Sequence, residues 1–222
     1  MLFDFHTHTF LSDGVLLPIE LIRRAVAGGY NAIGVTDHAS YSTMGYVIDA
    51  VVADCKLAEK YWDIRAIPGV EITHVPPEVI PAMAKEARWR GAQLIVCHGE
   101  TPVEPVPPGT VLAALQCSDI DVLAHPGPIT VELASLAASR GIFLELSARR
   151  GHSLANGSVA AAARQAGALC LVNSDTHEPG DLLTEDFARR VAAGAGLSPE
   201  EMEAVLVTNP QRLLEKIAAG RS

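Results

Sequence analysis

The residues best suited to chemistry begin near the start of the chain, with His6-Thr7-His8. Alternate side chains of an extended segment point the same way, so the two imidazoles project from one face. Asp13 follows in a short turn closed by Gly14, from which its carboxylate reaches back toward the same point. Two imidazoles and a carboxylate are typical ligands of a divalent metal ion. Such a histidine pair also arises by chance on protein surfaces, so the interpretation depends on residues further along the chain.

Other ionisable residues stand at or just after the ends of short apolar runs. They are His38, Glu71, His98, His125, Glu145 and Asp175. A cavity that buried so many imidazoles and carboxylates without counter-charge would be strongly destabilised. Divalent cations remove that conflict, and nitrogen and oxygen donors without thiolate suit zinc, manganese or iron. Because a catalytic ion uses about three protein ligands, this set of candidates predicts two or three ions.

The apolar runs alternate with amphipathic segments, as strands alternate with helices in α/β proteins. The predicted strands are residues 2–6, 32–36, 64–70, 93–97, 122–124, 142–144 and 168–173. The main predicted helices are residues 18–27, 46–61, 77–90, 110–116, 131–140 and 159–167. Pro68 weakens the assignment of the third strand, because proline cannot donate a backbone hydrogen bond.

This alternation predicts a parallel sheet with right-handed connections. Near-continuous apolar runs indicate strands that are buried on both faces, and closure into a barrel achieves this. The usual barrel has eight units and typically about 250 residues, so seven units in a shorter chain predict a (β/α)7 TIM-like barrel. The carboxyl ends of its strands share one rim, where barrel enzymes place their chemistry. An open, doubly wound sheet is the alternative.

Composition limits the partners and the location. The chain has 222 residues, 49% of them hydrophobic, and a formal charge of -9. This predicts one domain over residues 1–222, without the basic patch that long nucleic acid would require. We find neither an apolar run as long as a membrane span nor a leader before Leu2, so we expect a cytoplasmic protein without membrane contact.

The four cysteines form no C-x-x-C pair, which argues against a thiolate site. The oligomeric state stays open.

An ordered series of short motifs resembles the PHP (polymerase and histidinol phosphatase) family. The series is specific as a set, although each motif alone is weak. It consists of His6-x-His8 with Asp13-Gly14, Thr36-Asp37-His38, Gly69-Val70-Glu71, His98-Gly99, Ala124-His125-Pro126-Gly127 and Ser174-Asp175-Thr176-His177. The resemblance implies a distorted seven-unit barrel with a trinuclear metal site at the carboxyl ends of its strands.

The resemblance also implies which residues bind each ion. The first ion would take His6, His8, Glu71 and Asp175. The second would take His98, His125 and a shared Glu71, and the third would take Asp13, His38 and His177. Some family members have a histidine at the position of Asp13. The carboxylate here favours manganese or iron at the third site.

The reaction that such a site predicts is hydrolysis of a phosphoester. Water between divalent ions loses a proton near neutral pH and becomes a hydroxide nucleophile, while the ions neutralise the phosphate oxygens. The predicted catalytic residues are Asp175, which would also orient the attacking water, the metal ligand His177, and Arg149, which would clamp the phosphate. The predicted substrate is a small phosphorylated metabolite or nucleotide, and histidinol phosphate is one candidate that the family supplies.

Two other functions remain open. An amidohydrolase-like metal hydrolase also has H-x-H on its first strand, but it generally uses a smaller ligand set. A non-catalytic PHP-like scaffold would be expected to have lost ligands, yet every motif position here retains one. Outside the ligand set, we expect Glu145 to support a ligating histidine. We expect His152 to be an exposed loop residue, with proton donation to a leaving group as the alternative.

Overall fold

The computed structural model describes residues 1–220, in which strands and helices alternate along the chain. The strands are β1 (Phe3–Asp4), β2 (Ala32–Val35), β3 (His38–Ala39), β4 (Arg65–Ile72), β5 (Leu94–His98), β6 (Val122–Ala124), β7 (Phe143–Ser147) and β8 (Cys170–Asn173). The helices are α1 (Pro18–Ala27), α2 (Met44–Tyr61), α3 (Ile80–Arg90), α4 (Thr110–Gln116), α5 (Val131–Arg140), α6 (Asn156–Ala166), α7 (Glu185–Gly194), α8 (Pro199–Glu203) and α9 (Asn209–Ala219). Within these residues, we find no helix that combines the length and the apolar character needed to cross a bilayer.

Helix boundaries differ slightly from the predicted ones. Helices α2 and α6 begin earlier than predicted, at Met44 and Asn156. Helix α3 begins later, at Ile80, because Pro77–Val79 forms a separate 3-10 turn. Such shifts at helix ends leave the order of elements unchanged.

Seven parallel strands of the described chain form a nearly closed barrel, in the order β1-β2-β4-β5-β6-β7-β8. The short strand β3 follows β2 and pairs with the carboxyl-terminal end of β4, at Glu71 and Ile72. Between β1 and β8, Thr7 forms a bridge with Thr176. The His8 N–H donates to the Thr176 carbonyl at 2.8 Å, and the Asp175 N–H donates to the His6 carbonyl at 2.9 Å. The predicted distorted (β/α)7 barrel is confirmed, and its closure places the first and last sequence motifs side by side.

Pro68 lies inside β4 without interrupting the sheet. Pairing of β2 with β4 ends at Val35 opposite Pro68, and pairing with β3 resumes at His38 opposite Glu71. The missing N–H therefore falls at the break between two short ladders. The Pro68 carbonyl still accepts from the Gln93 N–H at 2.7 Å. The strand is continuous and carries Glu71 to the rim.

A small apolar core fills the barrel interior, and a larger one lies between the strands and the helices. Along β5, the inward side chains are Leu94 and Val96, followed by His98 at the carboxyl end. Leu213 and Ile217 of α9 belong to the same inner core. The interior thus changes from apolar to polar along the barrel axis, and the polar end is the rim that holds the predicted site.

Asp121, in the turn before β6, connects several elements by buried polar contacts. Its side chain is buried and accepts from the Ile95 N–H at 2.9 Å. It also forms ion pairs with Arg88 of α3 and, at 3.1 Å, with Lys216 of α9.

We expect Asp121→Ala to lower the free energy of unfolding by about 3 kcal/mol, because Arg88 and the Ile95 N–H lose their acceptor. Urea denaturation measures this change. Glu86→Ala is the control, since it removes only the exposed pair between Glu86 and Arg90 on α3. That control should cost less than about 0.5 kcal/mol, and equal effects of the two variants would contradict the structural importance of Asp121.

Candidate metal centre

The predicted ligands converge at the carboxyl rim of the barrel. Five groups of three or four side chains could each hold a metal ion, because the donor atoms within each group all lie within 4.8 Å of one another. They are His6-His8-Asp175, His6-Glu71-His125, His8-Asp13-His38-His177, His125-His152-Asp175 and His74-His98-Glu104. Each predicted ligand therefore belongs to at least one group. Four of the groups are linked by shared members, whereas the group of His74, His98 and Glu104 shares none with them.

Glu71 lies among four imidazoles from three other segments of the chain. Its Oε2 atom is 2.7 Å from His38 Nδ1, 3.4 Å from His6 Nε2 and 3.7 Å from His8 Nε2. Its Oε1 atom is 3.7 Å from His125 Nε2. The side chain is fully buried, and among the described residues neither oxygen accepts a hydrogen bond of acceptable geometry. The close His38 Nδ1 is paired instead with the Thr73 hydroxyl at 2.6 Å. A buried carboxylate left without hydrogen bonds is strongly destabilising unless a cation neutralises it.

Glu145 fixes the orientation of His6. The Glu145 Oε2 atom accepts from His6 Nδ1–H at 2.8 Å and from Asn173 Nδ2–H at 3.0 Å. With its hydrogen on Nδ1, the neutral His6 ring presents a lone pair at Nε2, which lies 3.0 Å from His8 Nε2. A carboxylate behind a ligating histidine is the usual support of a metal site. The contact matches the role predicted for Glu145.

Two other histidines present Nε2 lone pairs in the same way. His98 Nδ1–H donates to the Gly99 carbonyl at 2.9 Å, and its buried Nε2 has no hydrogen-bond partner among the described residues. His177 Nδ1–H donates to the Asp175 carbonyl at 2.9 Å, and its Nε2 lies 3.0 Å from Asp13 Oδ2. A lone pair and a carboxylate at this distance repel each other unless a proton or a cation lies between them. The nitrogen and oxygen donors of this site therefore fit divalent ions.

Asp37 holds the loop that carries Asp13. Its carboxylate accepts from the Thr9 N–H at 2.7 Å, the Thr9 hydroxyl at 2.8 Å and the Ser12 hydroxyl at 2.7 Å. These three bonds fix the turn after the first motif, so the approach of Asp13 to the cluster depends on them. Asp37 is not among the predicted site residues, although its position directly before His38 in one of the motifs is a signal that could have identified it.

Backbone strain marks two of the predicted ligands. His125 and Asp175 have φ angles of 25° and 55°, which non-glycine residues rarely adopt. Such conformations cost on the order of 1–3 kcal/mol each and concentrate at functional sites. Burial raises the pKa of Asp175 to about 7. Both residues thus keep strained backbone conformations of the kind that functional residues often adopt.

The position of His98 differs from the predicted grouping. Its donor atom groups with those of Glu104 and His74, although its ring centroid is only 4.4 Å from that of His125. Glu104 comes from the loop after β5, and its Oε2 atom is 3.7 Å from His98 Nε2. Nothing in the sequence of that proline-rich loop indicated a contact with the site. The shared ligation of an ion by His98 and His125 stays a prediction.

The expectation that His152 is exposed is wrong. Its side chain is only 4% exposed. Its ring stacks on that of His125 at a centroid distance of 4.2 Å, and its Nδ1 lies 2.8 Å from the Thr101 hydroxyl. The loop after β7 folds inward because Gly151, with a φ of 89°, packs against Val103 of the loop after β5. His74, by contrast, is half-exposed.

Arg149 lies beside the last predicted ligand. Its guanidinium Nη1–H donates to the Asp175 carbonyl at 3.1 Å, and its Nε is 3.7 Å from Asp175 Oδ2. It is half-buried, whereas the neighbouring Arg150 is exposed. Of the two arginines after the sixth predicted strand, Arg149 is therefore the one that reaches the rim.

A parallel barrel with imidazoles and carboxylates clustered at its carboxyl rim is the architecture of metal-dependent barrel hydrolases as a class. The sequence profile of the PHP domain matches residues 4–148. The chain therefore belongs to the PHP domain family, and the resemblance found in its motifs is confirmed.

Two proteins of similar sequence and one solved structure of similar fold can be compared with this chain. The chain is 48% identical to an uncharacterized protein of Methanocaldococcus jannaschii over 98% of this chain and 100% of that protein. It is 27% identical to a probable phosphatase of Edwardsiella ictaluri, over 96% and 92% of the two chains. The crystal structure of histidinol phosphate phosphatase from Lactococcus lactis, complexed with zinc, L-histidinol and phosphate, aligns with a TM-score of 0.64 and 14% identity. That alignment covers 89% of this chain and 94% of the other, and it shows a shared fold.

We expect the protein reconstituted with manganese or zinc to unfold at a higher temperature than the chelator-treated protein. An ion at 100 times its dissociation constant stabilises the folded state by about 2.7 kcal/mol. Glu71→Gln should abolish most of this increase, because Glu71 contacts so many of the predicted ligands. Calorimetry combined with elemental analysis measures both effects.

The matched control for this experiment is Glu86→Gln, on the outer face of the barrel, which should keep the full response to metal. If Glu71→Gln responds to metal as strongly as the wild type does, Glu71 is not a ligand.

Proposed function

We propose that this protein hydrolyses a phosphoester of a small substrate, using two or three divalent ions bound at the carboxyl rim. The observation that supports this most is the cluster of buried imidazoles and carboxylates at the rim, in which both oxygens of Glu71 and the Nε2 atom of His98 have no hydrogen-bond partner among the described residues. Bound divalent ions would neutralise the phosphoryl oxygens and lower the pKa of water toward about 7. Membership of the PHP domain family and the similarity to a probable phosphatase agree with this proposal.

The proposed ligand assignment keeps three sites, of which the first two share Glu71. The first comprises His6, His8, Glu71 and Asp175, and the second comprises Glu71, His98 and His125. The third comprises Asp13, His38 and His177, which lie with His8 in one group of donor atoms. Glu71 is the proposed bridge, since its two oxygens face different imidazoles. Manganese or iron is the proposed occupant of the third site, because Asp13 adds an oxygen donor there.

Asp175 and Arg149 are the residues that we propose to act on the substrate. Asp175 Oδ1 faces His8 Nε2 at 3.2 Å, whereas Oδ2 faces the side chain of Arg149. One oxygen would thus bind metal while the other orients the attacking water. The guanidinium of Arg149 would bind the phosphoryl oxygens. His177, at the edge of the same cleft, would hold the third ion near the substrate.

The space beside the cluster fits a small leaving group. A cleft of about 470 Å³ adjoins His177 and is lined by Arg149, Arg150 and Phe187, among others. Pockets for small molecules typically have volumes of about 300–1,000 Å³. The net charge of -9 disfavours long polyanions, so a phosphorylated metabolite or a nucleotide is the proposed substrate.

We expect the metal-loaded protein to hydrolyse members of a panel of phosphomonoesters and phosphodiesters that includes histidinol phosphate and nucleotides. Asp175→Asn should lower kcat by at least about a hundredfold, because the attacking water loses its orienting carboxylate. Arg149→Ala should raise KM about tenfold or more, because a charged hydrogen bond to the phosphoryl group is lost. Steady-state assays measure both constants.

The control for this panel is Arg140→Ala, because Arg140 is an exposed arginine at the end of α5. It should leave both constants unchanged. Turnover of amides or lactones without turnover of any phosphoester would contradict the proposal in favour of an amidohydrolase-like reaction. Absence of any turnover by protein with a full metal content would favour a non-catalytic role.

A further inference from the structure

His152 reaches the rim but has no place in the proposed ligand assignment. Its Nε2 atom lies 3.9 Å from Asp175 Oδ2 and 3.7 Å from Glu104 Oε2. The Nε atom of Arg149 lies 3.7 Å from the same Asp175 oxygen. Arg149 and His152, both from the loop after β7, therefore place one nitrogen each near Asp175 Oδ2. Neither nitrogen is within hydrogen-bonding distance of that oxygen. His125 Nε2 also lies 3.7 Å from this oxygen. Because neither nitrogen of the loop is bonded to Asp175 Oδ2, each can donate to another acceptor.

The ring of His152 is held in place from three sides. The Thr101 hydroxyl contacts Nδ1 at 2.8 Å, and both side chains are buried. The face of the ring stacks on His125, and the preceding Gly151 packs against Val103. Rotation of the ring would break its contact with Thr101 and disturb its stacking on His125, so these two contacts fix the direction of Nε2.

The surroundings of Nε2 favour a hydrogen on that atom. When the Thr101 hydroxyl donates to Nδ1, the neutral ring carries its hydrogen on Nε2. The carboxylates of Asp175 and Glu104 both face Nε2, and they stabilise an N–H rather than a lone pair there. The same two carboxylates would repel an approaching anion, so a phosphate that binds beside His152 needs hydrogen-bond donors that offset this repulsion.

We propose that His152 is a substrate-binding residue, which donates a hydrogen bond from Nε2–H to a phosphoryl oxygen beside Arg149. Thr101 is then a positioning residue that holds the ring through Nδ1. The inference rests on the proposed function for the identity of the substrate. The ligand that it requires is a tetrahedral phosphate group, which inorganic phosphate also supplies.

The test is calorimetric titration of inorganic phosphate into manganese-reconstituted protein, with the metal content of each variant measured by elemental analysis. His152→Asn should raise the Kd for phosphate about tenfold to a hundredfold, because its shorter amide does not reach the position of Nε2. His152→Gln should lose less affinity, since its amide nitrogen lies close to that position. Thr101→Val should raise the Kd by a smaller factor.

Leu154→Ala is the matched control for these variants. Leu154 is 77% exposed and lies in the same 3-10 turn as His152. The Leu154→Ala variant should bind phosphate with the same Kd as the wild type. Thermal unfolding shows whether each variant is folded, and the comparison of His152→Gln with His152→Asn separates a lost hydrogen bond from a general disturbance of the loop.

Three results would overturn the assignment. The first is an unchanged Kd in His152→Asn, and the second is loss of a bound ion from that variant, which would make His152 a metal ligand. The third is a wild-type protein that does not bind phosphate at millimolar concentration. The proposed function is tested separately by ester turnover: wild-type protein that binds phosphate through His152 but hydrolyses no ester would contradict the proposed function alone.

Discussion

The burial of several imidazoles and carboxylates in one cluster is the constraint on which the rest of the structure depends. His6 Nε2 and His8 Nε2 lie 3.0 Å apart beside the unpaired oxygens of Glu71. Burial lowers the pKa of His8 and of His125 well below the usual value, and the nearby histidine charges add to this effect. Neutral rings of this kind are the form in which histidine binds metal ions. Cations would convert these unfavourable contacts into bonds.

The barrel holds these groups together by fixing the backbone on which they lie. The hydrogen bonds between His6, His8 and the segment from Asp175 to Thr176 bring the two ends of the motif series into contact. Close backbone packing contributes as well: at Gly99, a Cβ atom would lie 2.4 Å from the Ala124 carbonyl oxygen. Glycine therefore permits the loops after β5 and β6 to approach each other, and this approach positions the histidines at the ends of those strands.

Much of this arrangement could be predicted from the sequence. Apolar runs that end in His38, Glu71, His98 and Asp175 indicate both the strands and the residues at their carboxyl ends, because strand order and direction follow from the alternation with helices. What could not be predicted depends on contacts between loops. The burial of His152 results from packing of Gly151 against Val103, and neither residue has a periodic pattern that would indicate this contact. Glu104 approaches His98 for a similar reason, from a loop with several prolines.

The central claim is that cations lie among these side chains, and anomalous diffraction from crystals of the reconstituted protein tests it most directly. Data collected at the absorption edge of manganese or zinc should show peaks bonded to Glu71 and to the Nε2 atoms of His6 and His8, with zinc–nitrogen distances of about 2.0–2.1 Å. A map without an anomalous peak near Glu71, in which water molecules satisfy those Nε2 atoms instead, would contradict the account.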